Sequence, residues 1–259
     1  SATGGDLACF DPFDDMPDDQ SRSTIFESMA HVCRTTGNDT QGKWLDTGSQ
    51  SGVAPIVRPV GDEVFTDFTT VGVRVEGRFR LNCSVLEKCY TLTNATGAEM
   101  QVVALTHYMD GDLYFRQGNL SDDFGATSDG APKTLWQFEE GDIGVDGQPA
   151  TFVGMYALGG GNEFLQSWEV GSFPDQKNRI DGGVDDFFGG GNGGLNTCHQ
   201  LANNLNRQEM NIDVNPVDLT TDRGFDVTLA LRYDLGPLGP GESSEELCVA
   251  IQWGRGLPC

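Results

Sequence analysis

The carboxylates around residue 110 are the side chains of this sequence with the clearest potential for chemistry. Asp110 and Asp112 stand at the end of a predicted strand, and Asp122 and Asp123 follow after a short loop. Carboxylate oxygens are hard ligands of the kind that calcium prefers. The loop lacks the glutamate that closes an EF-hand, so the spacing predicts an irregular calcium site, and a solvated acidic turn is the alternative interpretation.

A second group of oxygen ligands is Asp213, Asn215 and Asp218, which alternate along a segment entering a turn. They could also wrap a cation and so relieve the repulsion within an acidic chain. Asn and Asp favour turns and caps without any ion, which is the competing explanation.

Copper or zinc would need nitrogen or sulfur ligands that converge. The three histidines, His31, His107 and His199, lie far apart in the sequence, and His107 with His199 is the pair that could form such a site.

A glycan site is a further hypothesis. Tyr114, Trp136 and Trp168 could offer flat faces for stacking on sugar rings, with acids such as Glu169 nearby. Two carboxylates are all that a glycosidase requires. The same residues are also typical of an ordinary sandwich core, which is the competing interpretation. The sequence contains no Gly-x-Ser-x-Gly, His-Glu-x-x-His or phosphate-loop motif, which favours a non-enzymatic protein.

Seven cysteines without a Cys-x-x-Cys motif indicate disulfides rather than a metal knuckle. Their spacing suggests three local pairs and leaves Cys198 over. The predicted pairs are Cys9–Cys33, Cys83–Cys89 and Cys248–Cys259.

The charge balance excludes some partners. The chain has 259 residues, of which 39 are acidic and 16 basic, giving a net charge of −23. Such a chain repels phosphate backbones and anionic headgroups, so it predicts neither nucleic-acid binding nor a membrane-surface role.

Export is the expected fate of the chain. No apolar run is long enough to span a bilayer, and the first residues match what signal-peptide cleavage would leave. Four Asn-x-Ser/Thr acceptors, which fit an extracellular glycoprotein, are Asn38, Asn82, Asn94 and Asn119.

The alternation of apolar and charged residues predicts an all-β protein. Between residues 71 and 81, valines alternate with charged residues, as in a half-buried strand, and Cys89–Asn94 should pair back against it. About ten such strands predict an antiparallel β-sandwich over residues 55–259, with a glycine-rich insertion at 181–194.

Residues 1–54 are expected to form an irregular acidic segment pinned by a disulfide. A capping box at Thr24 and Glu27, followed by apolar residues at helical spacing, predicts a short helix over 24–34. A second helix is predicted over residues 197–210, after the glycine-rich insertion.

Two segments resemble immunoglobulin-like sandwich modules of bacterial surface and secreted proteins. They are Thr91–Gly97, with a Thr-Asn-x-x-Gly turn, and Leu229–Ser243, with a Leu-Gly-Pro-Gly-Glu-Ser run before the next strand. The resemblance covers about forty residues and implies a fold and an extracellular location rather than a reaction.

These observations together predict a calcium-stabilised structural or adhesive protein that self-associates into an oligomer or fibre. A secreted glycan-binding or glycan-cleaving protein is the first alternative, and a copper- or zinc-binding protein is the second.

Overall fold

The structure is a computed structural model that describes residues 25, 27–45, 55–111, 123–128, 133–139, 151–181, 198, 201, 203–205, 219–221 and 224–255. Its strands are β1 (Glu27–Thr36), β2 (Asp39–Trp44), β3 (Ile56–Val60), β4 (Glu63–Thr70), β5 (Val73–Asn82), β6 (Val85–Asn94), β7 (Met100–Asp110), β8 (Asp123–Thr127), β9 (Thr134–Glu139), β10 (Thr151–Leu158), β11 (Leu165–Ser172), β12 (Asn204–Leu205), β13 (Val227–Leu238) and β14 (Leu247–Arg255). Between them lie a 3-10 helix (Gly159–Phe164) and helix α1 (Asp175–Ile180). No helix among the described residues has the length and apolar character needed to cross a membrane.

The strands form two sheets that pack face to face. One has six strands in the order β12–β11–β13–β7–β1–β2, and the other has eight in the order β3–β4–β5–β6–β14–β10–β9–β8. Neighbouring strands are antiparallel except β11 and β12, which pair in parallel over two residues. The prediction of an all-β antiparallel sandwich is confirmed, with more strands than expected.

The core lies between the sheets and follows from period-two alternation. On β5, Val73 and Val75 are fully buried, while the Arg74 side chain lies on the opposite face and pairs with Asp67. Successive side chains of a strand point to opposite faces, so one face of β5 is apolar and the other charged. The half-buried strand predicted over residues 71–81 is thus present, and β6 pairs back against it as expected.

The predicted helix over residues 24–34 is wrong, because residues 27–36 form β1. Ala30 and Val32 face the core between the sheets, whereas Met29 packs on the other side with Trp44. A strand buried on both faces carries a nearly continuous apolar run, and such a run mimics helical spacing. Strands β1 and β2 belong to the six-stranded sheet, so residues 27–44 are part of the sandwich rather than of a separate segment.

The second predicted helix is also wrong where it is described, because Asn204–Leu205 form β12. Helix α1, which the sequence pattern did not suggest, lies just before the glycine-rich insertion. Residues 1–24 and 182–197, as well as the strands predicted at 113–115 and 211–214, lie outside the described residues.

The predicted disulfide pairs are corrected by the structure. Cys33 bonds to Cys198 and Cys89 bonds to Cys248, with Cα–Cα distances of 5.5 and 4.1 Å. Cys83 is an exposed free thiol. It sits in the turn between β5 and β6, whereas the residue opposite Cys89 on β5 is Arg78, so the two cysteines do not meet across the hairpin. Cys9 and Cys259 lie outside the described residues.

The two segments that carry the family resemblance lie side by side. The backbone N–H of Asn94 donates to the Glu242 carbonyl, and Gly241 donates back to the Asn94 carbonyl, both at 2.9 Å. The Asn94 side-chain nitrogen donates to the carbonyls of Ala98 and Leu238 at 2.8 and 2.9 Å. Asn94 therefore ties the turn after β6 to the end of β13.

These contacts also correct one glycosylation candidate. Asn94 is fully buried and its amide nitrogen is already engaged, so it does not fit a glycan acceptor. Asn38 and Asn82 are exposed and remain predictions, and Asn119 lies outside the described residues.

Replacing Asn94 with Ala is expected to lower the free energy of unfolding by about 2–3 kcal/mol, because buried carbonyls lose their donor. Urea denaturation would measure the change, with Asn38→Ala in an exposed turn as the control. A loss below about 0.5 kcal/mol would contradict the anchoring role.

Candidate functional site

The outer face of the six-stranded sheet, which points away from the eight-stranded sheet, gathers buried ionisable side chains. Glu27 lies directly opposite Asp110, and Asp110 lies opposite Thr228 on the next strand. One step along, Tyr108 lies opposite Ala230, which in turn lies opposite Glu169. We call the ionisable residues here the outer-face cluster; each is at most 7% exposed, and they are Glu27, His31, Tyr108, Asp110, Glu169 and Arg232.

Helix α1 covers this cluster and is fastened to it by ion pairs. Lys177 Nζ donates to Glu27 Oε1 and Oε2 at 2.5 and 2.7 Å. Arg179 forms an ion pair with Glu169, which is fully buried. Each of these carboxylates forms an ion pair with a cation of α1. The cost of removing the two negative charges from water is therefore offset by a nearby positive charge.

Two apolar side chains complete the cover. Ile180 at the end of α1 and Leu201 pack in one cluster with Met29, Trp44 and Tyr108. Since Leu201 lies three residues after Cys198, the Cys33–Cys198 disulfide holds this part of the cover on β1.

The backbone of β11 is shaped for the approach of α1. Gln176 Nε2 donates to the carbonyl oxygen and to Oε1 of Glu169, both at 3.3 Å. A Cβ at Gly171 would lie 2.7 Å from this Gln176 nitrogen. Glycine at 171 therefore gives α1 the room it needs to sit on the sheet.

Tyr108 is held in its protonated form. Burial raises the pKa of Tyr108 well above its usual value, and the carboxylates of Asp110, Glu27 and Asp226 add to the effect. The Thr228 hydroxyl is close enough to oppose this rise in pKa slightly, although no hydrogen bond of good geometry joins the two hydroxyls.

His31 is held neutral at the other side of the cluster. Burial lowers the pKa of His31, and the carboxylate of Asp181, whose Oδ1 is 3.6 Å from Nε2, partly opposes the shift. The ring packs edge-on against Trp44 and over Gly42, where a Cβ would lie 2.5 Å from the imidazole.

The chemistry open to the outer-face cluster is limited by its cover. Glu27 and Glu169, the two carboxylates of the cluster that meet a cation of α1, are bound to that helix. The described contacts thus fasten α1 to the sheet, and an external substrate could reach the cluster only if α1 moved.

A second polar group lies between the two sheets. Lys88 is 4% exposed, and its Nζ donates to Ser28 Oγ at 2.9 Å and to the Ser28 carbonyl at 3.3 Å. Burial lowers the pKa of Lys88 to about 8. Nearby, His107 packs between Tyr90 and Tyr233, and burial together with the Lys88 charge lowers the pKa of His107 well below its usual value.

The predicted calcium ligands are only partly described. Asp110 and Asp123 are buried, and Gln137 Nε2 donates to both Asp123 Oδ2 and the Gly111 carbonyl. These bonds bring Gly111, the residue after β7, next to the start of β8, whereas the Asp110 side chain lies on the outer face of the six-stranded sheet with Glu27. Asp112 and Asp122, as well as the second group Asp213, Asn215 and Asp218, lie outside the described residues.

The predicted transition-metal pair is likewise half described, since His199 is outside the described residues. His107 belongs to no group of three converging ligands in the described part of the chain. The group that does converge is Cys89, Glu246 and Cys248, but its two cysteines are disulfide-bonded and cannot bind as thiolates.

The proposed sugar-stacking aromatics do not share one surface. Trp136 lies on β9 of the eight-stranded sheet and packs against the Phe124–Phe138 cluster. Trp168 lies on β11 of the six-stranded sheet, with Lys133 Nζ 4.6 Å from its ring centre. Tyr114 lies outside the described residues.

An exposed apolar surface lies at the β3–β5 end of the eight-stranded sheet. Pro59 lies opposite Val64, which lies opposite Phe79, and Phe79 packs against the core. Cross-strand partners share a face, so this surface continues the inner, core-facing side of the sheet beyond the sandwich. We call it the overhang patch; it consists of Val57, Pro59, Val64 and Leu81, whose valines and leucine are 45, 37 and 64% exposed.

Sequence reasoning missed most of these features. Asp110 was predicted as a ligand, but Glu27, Tyr108 and Arg232 join it only through the strand order β13–β7–β1. Lys88 carried a usable signal, because it interrupts an apolar alternation that runs through Leu86, Tyr90 and Leu92.

Comparison with known proteins identifies no family. No family model matches the sequence, and no curated protein matches it. Among solved structures, a bacterial glucoamylase complexed with acarbose aligns over 90% of this chain and 27% of its own, with 10% identity and a TM-score of 0.50. A polysaccharide lyase aligns over 93% and 30%, with 13% identity and a TM-score of 0.49. A galactose mutarotase related enzyme from Lactobacillus acidophilus aligns over 90% and 89%, with 8% identity and a TM-score of 0.42.

The chain thus spans less than a third of the first two proteins. At 10% identity, the likeness to the glucoamylase concerns the fold alone: a similar fold occurs within a larger protein.

Proposed function

We propose that the chain is an extracellular structural protein that works by associating with other protein chains rather than by catalysis. The observation that carries this proposal is the overhang patch, where apolar side chains of a sheet interior stand in solvent. Soluble monomers seldom expose large contiguous apolar patches, and such patches commonly mark interaction sites.

The use of the acidic side chains supports a structural role. Glu27 and Glu169, two buried acids of the outer-face cluster, hold α1 in place through Lys177 and Arg179. Two disulfides and exposed acceptors at Asn38 and Asn82 fit an oxidising, extracellular environment.

Light scattering and electron microscopy of the purified chain test the proposal. We expect particles larger than a single chain that grow with concentration. A chain that stays strictly monomeric at every concentration would overturn it.

Calcium is part of the proposal, with Asp123 as a ligand. Gln137 Oε1, a buried oxygen beside Gly111 without a hydrogen-bond partner among the described residues, would add a neutral ligand. Occupancy of such a site at a hundred times its Kd stabilises a fold by about 2.7 kcal/mol.

Removing calcium is therefore expected to lower the melting temperature by about 5–10 °C. Calorimetry with calcium and with a chelator would measure the shift, and Asp123→Asn should abolish it. Identical melting curves in both conditions would remove calcium from the proposal.

A glycan-binding role is the second candidate; it draws on the side chains of the outer-face cluster and requires α1 to move away from them. Carboxylates, a phenol and a guanidinium on one sheet face are groups that hydrogen-bond sugar hydroxyls. A glycan array combined with a reducing-sugar assay tests it, and silence in both would reject it.

A further inference from the structure

We propose that the partner on the overhang patch is a second copy of this chain, which docks its own patch against the first. The inference rests on the proposed function, because it names the partner that the exposed surface binds. In such a pair, the inner faces of two β3–β5 lobes (residues 55–82) would pack against each other.

The edge of β3 is poorly suited to the alternative, which is strand addition. Gly61 and Asp62 form a two-residue turn, so the flanking Val60 and Glu63 make a hydrogen-bonded pair. The N–H positions that point outward are then residues 55, 57 and 59. Pro55 and Pro59 have no N–H, which leaves Val57 as the outward-pointing donor of β3. With so few donors, the edge of β3 is poorly able to pair with another strand.

The face of the lobe is better suited to a partner than its edge. Val57 and Pro59 share the inner face with Val64 and Leu81, and this face is built like the interior of the sandwich. Further in, Phe79 and Leu86 are half-buried against the main core. A second sheet laid on the patch would therefore extend an existing apolar layer.

The charge distribution favours a second copy of the chain as the partner on the overhang patch. The lobe holds four arginines and four carboxylates and is neutral, whereas the whole chain carries −23. Its ion pairs include Arg74–Asp67, Arg78–Glu63 and Arg80–Asp62. A cationic partner would be drawn to the acidic remainder of the chain, while two copies repel each other least where both are neutral.

The expected association is weak and strengthened by salt. Because the overhang patch consists of four side chains, we expect it to bury less than the roughly 800 Å² per partner of a standard interface. Salt screens repulsion between the acidic bodies, whose range is about 8 Å at physiological ionic strength. Contacts between opposite charges would weaken with salt instead.

Sedimentation velocity of matched variants tests the proposal. Val57→Asp/Leu81→Asp adds two charges to the inner face, and Ile56→Asp/Val60→Asp adds two to the outer face at side chains that are 62 and 60% exposed. The chains should be produced without N-glycans. A concentration of about 100 µM is suited to a Kd in the micromolar range. We expect the inner-face variant to dimerise at least about tenfold more weakly, and the outer-face variant to match the wild type.

The exposed thiol of Cys83, two residues after Leu81, gives a readout that needs no patch variant. A bis-maleimide reagent should join two wild-type chains through Cys83 in a concentration-dependent manner, and salt should raise the yield. Cys83→Ser is the control for cross-linking through this thiol. Reaction of the wild type with a mono-maleimide reagent corrects the cross-linking yield for the accessibility of the thiol.

The outcomes separate this inference from the proposed function. If both variants associate like the wild type, or if salt weakens the dimer, the proposal that a second copy docks on the overhang patch fails. The proposed function, association with other chains, would remain. If the wild type stays monomeric at all concentrations in about 0.5 M salt, both proposals fail.

Discussion

Replacing Cys33 and Cys198 with Ala should lower the free energy of unfolding by up to about 5 kcal/mol, the largest loss expected for any change discussed for this chain. The bond joins residues that are 165 apart in the sequence. A cross-link of that span removes a large share of the conformational entropy of the unfolded chain. It also holds the segment near Leu201 on the outer face, so its loss should loosen the cover of the outer-face cluster.

Guanidinium denaturation with hydrogen exchange would measure both effects. Cys83→Ala is the matched control, since it removes an exposed free thiol and should change stability by less than about 0.5 kcal/mol. A double variant within about 1 kcal/mol of the wild type would show that the covering segment is held by its other contacts.

Lys88→Met, in contrast, should stabilise the chain by about 3 kcal/mol at neutral pH. Lys88 carries its charge between the sheets, and its hydrogen bonds go to neutral oxygens of Ser28. Burial lowers the pKa of Lys88 to about 8 from 10.5 in the unfolded chain. Each unit of such a shift costs the folded state about 1.4 kcal/mol where the unfolded chain is protonated.

The sign of the pH dependence follows from this shift. Below pH 8 the amine is charged in both states and the full cost applies; above pH 10.5 it is neutral in both and the cost vanishes. Wild-type stability should therefore rise between these values relative to the variant. Tyr90 and Tyr233, whose pKa values burial raises, act in the opposite direction above pH 10 but equally in both proteins.

Urea unfolding at several pH values would measure the difference between the two proteins. Lys43→Met, at an exposed position of β2, is the control and should leave stability within about 0.5 kcal/mol at every pH. A less stable Lys88→Met chain would mean that the hydrogen bonds to Ser28 outweigh the cost of burying the charge.

What the sequence predicts depends on how local the determining contacts are. Strands with one solvent-exposed face show period-two alternation. Strand β5 is of this kind, and the sequence predicts both β5 and its pairing with β6. Strand β1 was mistaken for a helix because both of its faces are buried, so no polar side marks its period.

The disulfides and the outer-face cluster could not be predicted for a related reason. Cys89 meets Cys248 because β6 and β14 are neighbours, although they are 159 residues apart in the sequence. Glu27 meets Lys177 through the packing of α1, which no local pattern encodes. Only sheet order brings such residues together, and sheet order depends on the whole chain.

The positions of β13 and β14 have a consequence for how the protein is made. These strands come last along the described chain, yet β13 lies between β11 and β7, and β14 lies between β6 and β10. Until they are synthesised, four strands lack a neighbour on one side, and their backbone groups can pair with other chains. A cell producing this protein must therefore keep the nascent chain apart from its copies until β14 has emerged, and fragments that lack β14 should aggregate rather than fold.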